Sequence, residues 1–207
     1  MPLLATALVG LLFLPGSASA PVAQAKSLTT TASASGEEPS PSLVPPAKTA
    51  VTKLTVKLTS YNAVPEQTDA DPTVTASGLA SNPEVIAARS HDLKSTLPFG
   101  TVIALYRTAN DSPACNFTKV EHLIGYRVIA DTTNARFTKR VDVEFDKEDK
   151  VILNGRRMNP SRVLGVCSGV SIEVVGRLTL KDVPDTQAEL TRLVNATVSS
   201  RELALAK

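Results

Sequence analysis

Gly125-Tyr-Arg-Val-Ile-Ala-Asp131 and Arg140-Val-Asp-Val-Glu-Phe145 decide how this chain is read. In the first, Val128 and Ala130 interleave with Ile129 and Asp131; in the second, Val141, Val143 and Phe145 interleave with Asp142 and Glu144. A period of two is that of a half-buried strand. The second alternation puts Asp142 on the face opposite a row of core side chains. A carboxylate held on a rigid strand over a groove suits acid/base chemistry, because proton transfer tolerates little positional error. The plainer use of an aspartate at a strand end is to cap the turn that follows. The connection Thr132-Thr-Asn-Ala-Arg-Phe-Thr-Lys-Arg140 is basic and brings no second acid.

Working outward, the same pattern recurs. Leu54, Val56 and Leu58 alternate with Thr and Lys up to Tyr61, a strand with one wet face. Val85–Arg89, Leu97–Tyr106 and Val170–Val175 are further short extended runs. Turn signals separate them at Asp71-Pro72, Ser77-Gly78, Asn82-Pro83, Pro98-Phe-Gly100, Asn154-Gly155 and Asn159-Pro160. Short strands at regular spacing predict a compact β-barrel, whose closure removes sticky edges. After Lys181 the period changes: Thr186 and Glu189 form a capping box, and Leu190, Leu193, Val194 and Val198 follow at helical spacing. An amphipathic helix is expected over 181–207, docked on the barrel or meeting a partner.

The order of these segments, with Thr75-Ala-Ser-Gly78, Leu97-Pro-Phe-Gly-Thr101 and the paired aspartates, resembles the 3D (Asp-Asp-Asp) domain of bacterial cell-wall proteins. That module is similar to the catalytic barrel of MltA-type lytic transglycosylases. The resemblance covers about residues 54–178. It implies a mainly β fold, a six-stranded double-psi β-barrel, to which the helical spacing adds a C-terminal helix and the composition a disordered N-terminal region. It also places the three namesake aspartates on Asp71, Asp131 and Asp142. Asp142 would be the acid/base and Asp131 its supporting group. Asp71, Thr75, Arg136, Phe137 and Arg140 would line the substrate, Asp71 chiefly by tying the Asp-Pro turn to the Thr73–Ser77 segment. The substrate implied is the peptidoglycan glycan strand, cut at the MurNAc-GlcNAc bond with a 1,6-anhydro product. Where the family carries a Gly-rich stretch, this chain has Arg136 and Phe137 instead. That difference favours the alternative, a non-catalytic, expansin-like glycan-binding module.

Composition and address bound the rest. With 207 residues and 43% apolar content the chain can bury one good core. Leu3 to Leu14 is an apolar run too short to span a bilayer with ease, followed by Ala18-Ser-Ala20 and Ala23-Gln-Ala25. This reads as a secretory signal over 1–25, cut after Ala25, since Pro21 hinders the earlier site. No basic residue precedes the apolar run, so a weak membrane anchor stays open as the other fate. Export to the periplasm, the wall or the medium is expected. Residues 26–50 are rich in Ser, Thr, Ala and Pro and read as a disordered linker ahead of a domain over 51–180.

The two cysteines, Cys115 and Cys167, are the only ones present, and in an exported protein they are expected to pair. His91 and His122 lack partners at ligand spacing, so neither a metal nor another cofactor is expected. A net charge of +2 is too small to argue for nucleic acid. There is no Trp, which leaves Tyr61, Phe99, Tyr126 and Phe137 as candidates to stack on sugar or to fill the core.

Overall fold

The computed structural model describes residues 41–45, 53–68, 71–107 and 109–205, with side chains to residue 200. The apolar run near the N-terminus, both cleavage sites and most of the linker lie outside the described residues. The elements are β1 (Lys53–Tyr61), β2 (Ile86–Arg89), β3 (Thr101–Tyr106), α1 (Phe117–Ile124), β4 (Arg127–Thr132), β5 (Arg140–Glu144), β6 (Val151–Leu153), β7 (Arg156–Met158), α2 (Pro160–Leu164), β8 (Cys167–Arg177) and α3 (Gln187–Leu205). Six strands close a barrel in the order β1-β5-β2-β4-β3-β8, while β6 and β7 form a separate hairpin. The hairpin turns through Asn154-Gly155, both at positive φ, as a two-residue loop requires.

The barrel order maps onto itself when β1, β2 and β3 exchange places with β4, β5 and β8. Under that exchange the parallel pair β1/β5 becomes the parallel pair β4/β2, and antiparallel β1/β8 becomes β4/β3. The two remaining antiparallel pairs, β2/β5 and β3/β8, map onto themselves. This is double-psi connectivity. Parallel neighbours cannot be joined by a hairpin, so the chain must leave the barrel between them, and the excursions build its surface.

Alternation along the strands divides the apolar residues between two clusters. Leu58, Ala87, Ile103, Ile129, Val141, Val143, Val170 and Ile172 belong to the larger one, which α1 joins through Phe117, Val120 and Ile124. The smaller cluster takes the other side of the strands: Ile86, Val102, Val128 and Ala130 lie under Leu190 and Val194 of α3. The C-terminal helix therefore docks on the barrel, with Leu190 and Val194 buried and Val198 46% exposed. It starts at Gln187, directly after the Thr186 of the capping box and later than the 181 bound of the segment, which opens with a short turn at Leu180–Asp182. The Thr186 hydroxyl serves the capping box, accepting from the Glu189 amide and donating to its carboxylate. α1 is an element that the strand pattern does not anticipate; at eight residues, its three buried positions barely complete two turns.

The linker expectation needs correcting at its end. Leu43 is only 5% exposed and packs in the α3 cluster, against the place where a side chain on Gly176 would stand. Val44 exchanges both backbone hydrogen bonds with Arg177. One large apolar side chain within a Ser/Pro-rich stretch is enough to bind it, because it finds a glycine to sit on. Removal of residues 1–50 should therefore cost about 1.5–3 kcal/mol more than removal of residues 1–40, the burial of one leucine. Urea unfolding of the two truncations measures the difference, and equal midpoints would refute it.

Cys115 and Cys167 form a disulfide across 52 residues, tying the loop before α1 to the start of β8. The backbone beside it is also paired, with the Val166 amide donating to Ala114 O at 2.6 Å. In the chain-entropy account a closed loop of this length stabilises by roughly 4 kcal/mol. Reductant should therefore shift the unfolding midpoint strongly to lower denaturant; an unshifted midpoint with the thiols shown to be free would refute the estimate.

Candidate active site

Simple alternation along β4 sends Asp131 to the same side as Ile129, into the barrel core. The structure does otherwise. β2 pairs Ala87 with Ile129 but Ala88 with Asp131, so Ala130 is an extra residue on β4. A β-bulge of this kind re-aims the side chain that follows it. The bulge turns Asp131 to the face that already carries Asp142, which pairs with Ala88 from the other side. Thr59 of β1 pairs with Asp142 in turn. Thr59, Asp142, Ala88 and Asp131 thus form one row across four strands. Strand spacing puts the two aspartate Cα atoms roughly 10 Å apart, with only the methyl of Ala88 between them. Both carboxylates border a cleft of about 480 Å³.

The two acids have different surroundings. Asp131 is held by three donors: the amides of Ala76 and Thr132 reach Oδ1 at 2.9 and 2.8 Å, and the Tyr61 hydroxyl reaches Oδ2 at 3.1 Å. Among the described residues Asp142 has one side-chain donor, the Thr59 hydroxyl on Oδ1. Burial pushes the Asp142 carboxyl above its usual range; the Thr59 hydrogen bond and the Arg140 charge oppose the rise, and the Asp131 charge adds to it. One acid is held by several donors, and the other has its pKa raised by burial.

Behind the row lies a third carboxylate. Glu144, one turn of the pleat beyond Asp142, is 1% exposed. Ser81 Oγ donates to its Oε1 at 2.6 Å and Tyr61 to its Oε2 at 3.3 Å. Burial raises its pKa, against the lowering effects of those hydrogen bonds and of the Arg127 charge. Tyr61 therefore donates towards both Asp131 and Glu144. Burial first, then the two carboxylates, raise its own pKa well above the normal tyrosine value, so it stays a phenol. Arg127 is fully buried; its guanidinium donates to the carbonyls of Leu123, Ile124, Pro83 and Glu144. Burial lowers its pKa to about 10, which still leaves it charged at neutral pH.

Of the residues singled out from sequence, Asp71, Thr75, Asp131, Arg136, Phe137 and Asp142 line the same cleft. Asp71 is exposed and accepts from the amide and hydroxyl of Thr73 at 3.0 and 2.6 Å, an Asx turn at the rim. Thr75 is buried, and its hydroxyl is spent on Leu79 O and Ser77 Oγ. Arg140 stands behind the lining, with its guanidinium carbon 3.6 Å from the centre of the Phe137 ring. The Tyr61–Glu144–Ser81 hydrogen bonds are the part that the strand pattern does not signal. Tyr61 is legible as an aromatic, not as a donor, and Ser81 sits in a loop with no period at all. Among the described residues, no group of three His, Cys, Asp or Glu is placed to hold a metal. No protein-family model, curated protein or solved structure matches the chain.

Proposed function

We propose that this is an exported, lytic-transglycosylase-like enzyme that cuts the MurNAc-GlcNAc bond of peptidoglycan, with Asp142 as its one acid/base. The observation that carries the reading is the row itself. A half-buried aspartate whose pKa is raised lies across one alanine from an aspartate pinned by three donors, and both border the same open cleft. Thr59 occupies Oδ1 of Asp142, which leaves Oδ2 to carry the proton. In the proposed reaction that proton passes to the glycosidic oxygen as its bond to C1 of MurNAc breaks. The resulting carboxylate then takes the proton of the C6 hydroxyl, whose oxygen closes on C1. Atoms balance without water, and the attacking group is already part of the substrate. Asp131 stabilises the positive charge that develops at C1.

The test is the product. Incubation with purified sacculi should release fragments ending in 1,6-anhydro-MurNAc. Reducing ends would point to a hydrolase using a second carboxylate, Glu144 or Glu66, of which Glu66 lies on the cleft wall. No release, with tight sedimentation on sacculi, would favour the expansin-like binding module, for which the Arg/Phe loop in place of glycines is the supporting feature.

Asp131→Asn supplies a pH test of the same reading. It removes a negative charge that helps to hold the proton on Asp142. The limb on which activity falls as Asp142 deprotonates should therefore move to lower pH. Activity below that limb should fall less than in a variant of Asp142 itself. An unmoved limb would show that the two carboxylates are not coupled during turnover.

A further inference from the structure

The loop from Thr133 to Lys139 has a feature that acid/base chemistry does not use. Arg136 and Arg140 both lay their guanidinium groups over Phe137, at 4.7 and 3.6 Å from the ring centre. Asn134 fixes the loop: its side chain accepts from the Arg136 amide at 3.1 Å and its carbonyl from the Phe137 amide at 3.0 Å. Among the described residues the one ion pair within 4 Å is Lys53–Glu173, so neither arginine is neutralised by contact. The acids are otherwise engaged: Asp92 accepts from the Lys139 amide, Asp71 from Thr73, and Asp142, whose carboxyl feels the Arg140 charge without an ion-pair contact, from Thr59. Arg140 Nε is buried and has no hydrogen-bond partner among the described residues. Buried donors are rarely left so. Arg136 and Phe137 face the cleft shared by Asp131 and Asp142.

We infer that the Arg136–Phe137–Arg140 stack is a carboxylate subsite, one that selects glycan whose muramic residues bear a free acid. This rests on the glycan reading above and deepens it. A guanidinium already seated over a ring can bind a planar carboxylate with two parallel hydrogen bonds and loses little side-chain freedom in doing so. Two sources supply that chemistry on peptidoglycan: the lactyl group once the stem peptide is removed, and the acids of the stem peptide while it is present.

Binding is best measured in the Asp142→Asn protein, which holds substrate without turning it over. The probes are peptide-free glycan oligosaccharides, peptide-bearing ones, and each of these after carbodiimide-driven amidation. At low salt, amidation of at least one probe should weaken binding roughly 10- to 100-fold, the worth of one or two charge-assisted hydrogen bonds. The probe that loses affinity identifies the source. Adding Arg136→Gln, at an exposed position, should shrink that preference to within about threefold, and Arg140→Gln should do the same. Salt should erode it in the parent. Equal binding of free and amidated glycans by the parent, or a preference that survives both arginine variants, would overturn the subsite while leaving the glycan reading intact. Failure of every glycan to bind would overturn that reading and the subsite with it.

Discussion

Asp142→Asn is expected to lower the release of anhydro-ended fragments by two to four orders of magnitude, the range for losing general acid/base assistance. The amide keeps the shape of the carboxyl and still accepts from Thr59, but it cannot shuttle a proton. The same variant should be more stable than the parent at neutral pH. Burial raises the pKa of Asp142 in the folded state, so the native protein binds this proton more tightly than the unfolded chain does. Below the unfolded value near 3.9 both states hold the proton and nothing is lost. As pH rises through the folded value, ionising the buried group costs stability, and above it the full cost persists. Asparagine never ionises. Its thermal midpoint should therefore exceed that of the parent at pH 7, with the gap closing as pH falls towards 3. A gap that is constant with pH would locate the effect elsewhere than in the proton. Activity retained within a few-fold would remove Asp142 from the chemistry.

Arg127→Met should destabilise the fold by about 3–5 kcal/mol, the usual cost of breaking a buried charged network from one side. Methionine keeps much of the stem volume, so the loss would come from the guanidinium. Without it the carbonyls of Leu123, Ile124, Pro83 and Glu144 lose a shared donor at the end of the barrel where β2, β5 and α1 meet. The Glu144 carboxylate also loses the positive charge that helps it ionise. Arg127→Lys should rescue little, since one ammonium cannot reach the spread of acceptors that a planar fork reaches. Urea unfolding measures both variants, and a loss below about 1 kcal/mol for methionine would show that the carbonyls find other donors.

The strand identities were legible in the sequence because each reports a local force. Val141, Val143 and Phe145 need cover on one side and leave Asp142 and Glu144 on the other, and nothing distant is required to say so. The capping box at Thr186 and the Asn154-Gly155 turn are equally local, set by hydrogen bonds and φ values within a few residues. The face taken by Asp131 was not legible. Alternation alone sends it inward with Ile129, and only the pairing of β4 with β2, some forty residues earlier, inserts Ala130 as an extra residue and turns Asp131 outward. The same limit hides Leu43, whose burial depends on Gly176, and the convergence of Tyr61, Ser81 and Glu144 from three separate segments. The sequence by itself determined where the six barrel strands and the C-terminal helix run, since those choices are made by neighbours within one strand or helical turn, whereas the two-turn α1 left too short a pattern to read. Register between strands far apart in the chain is chosen by the closed barrel as a whole, and that register placed two aspartates on either side of one alanine.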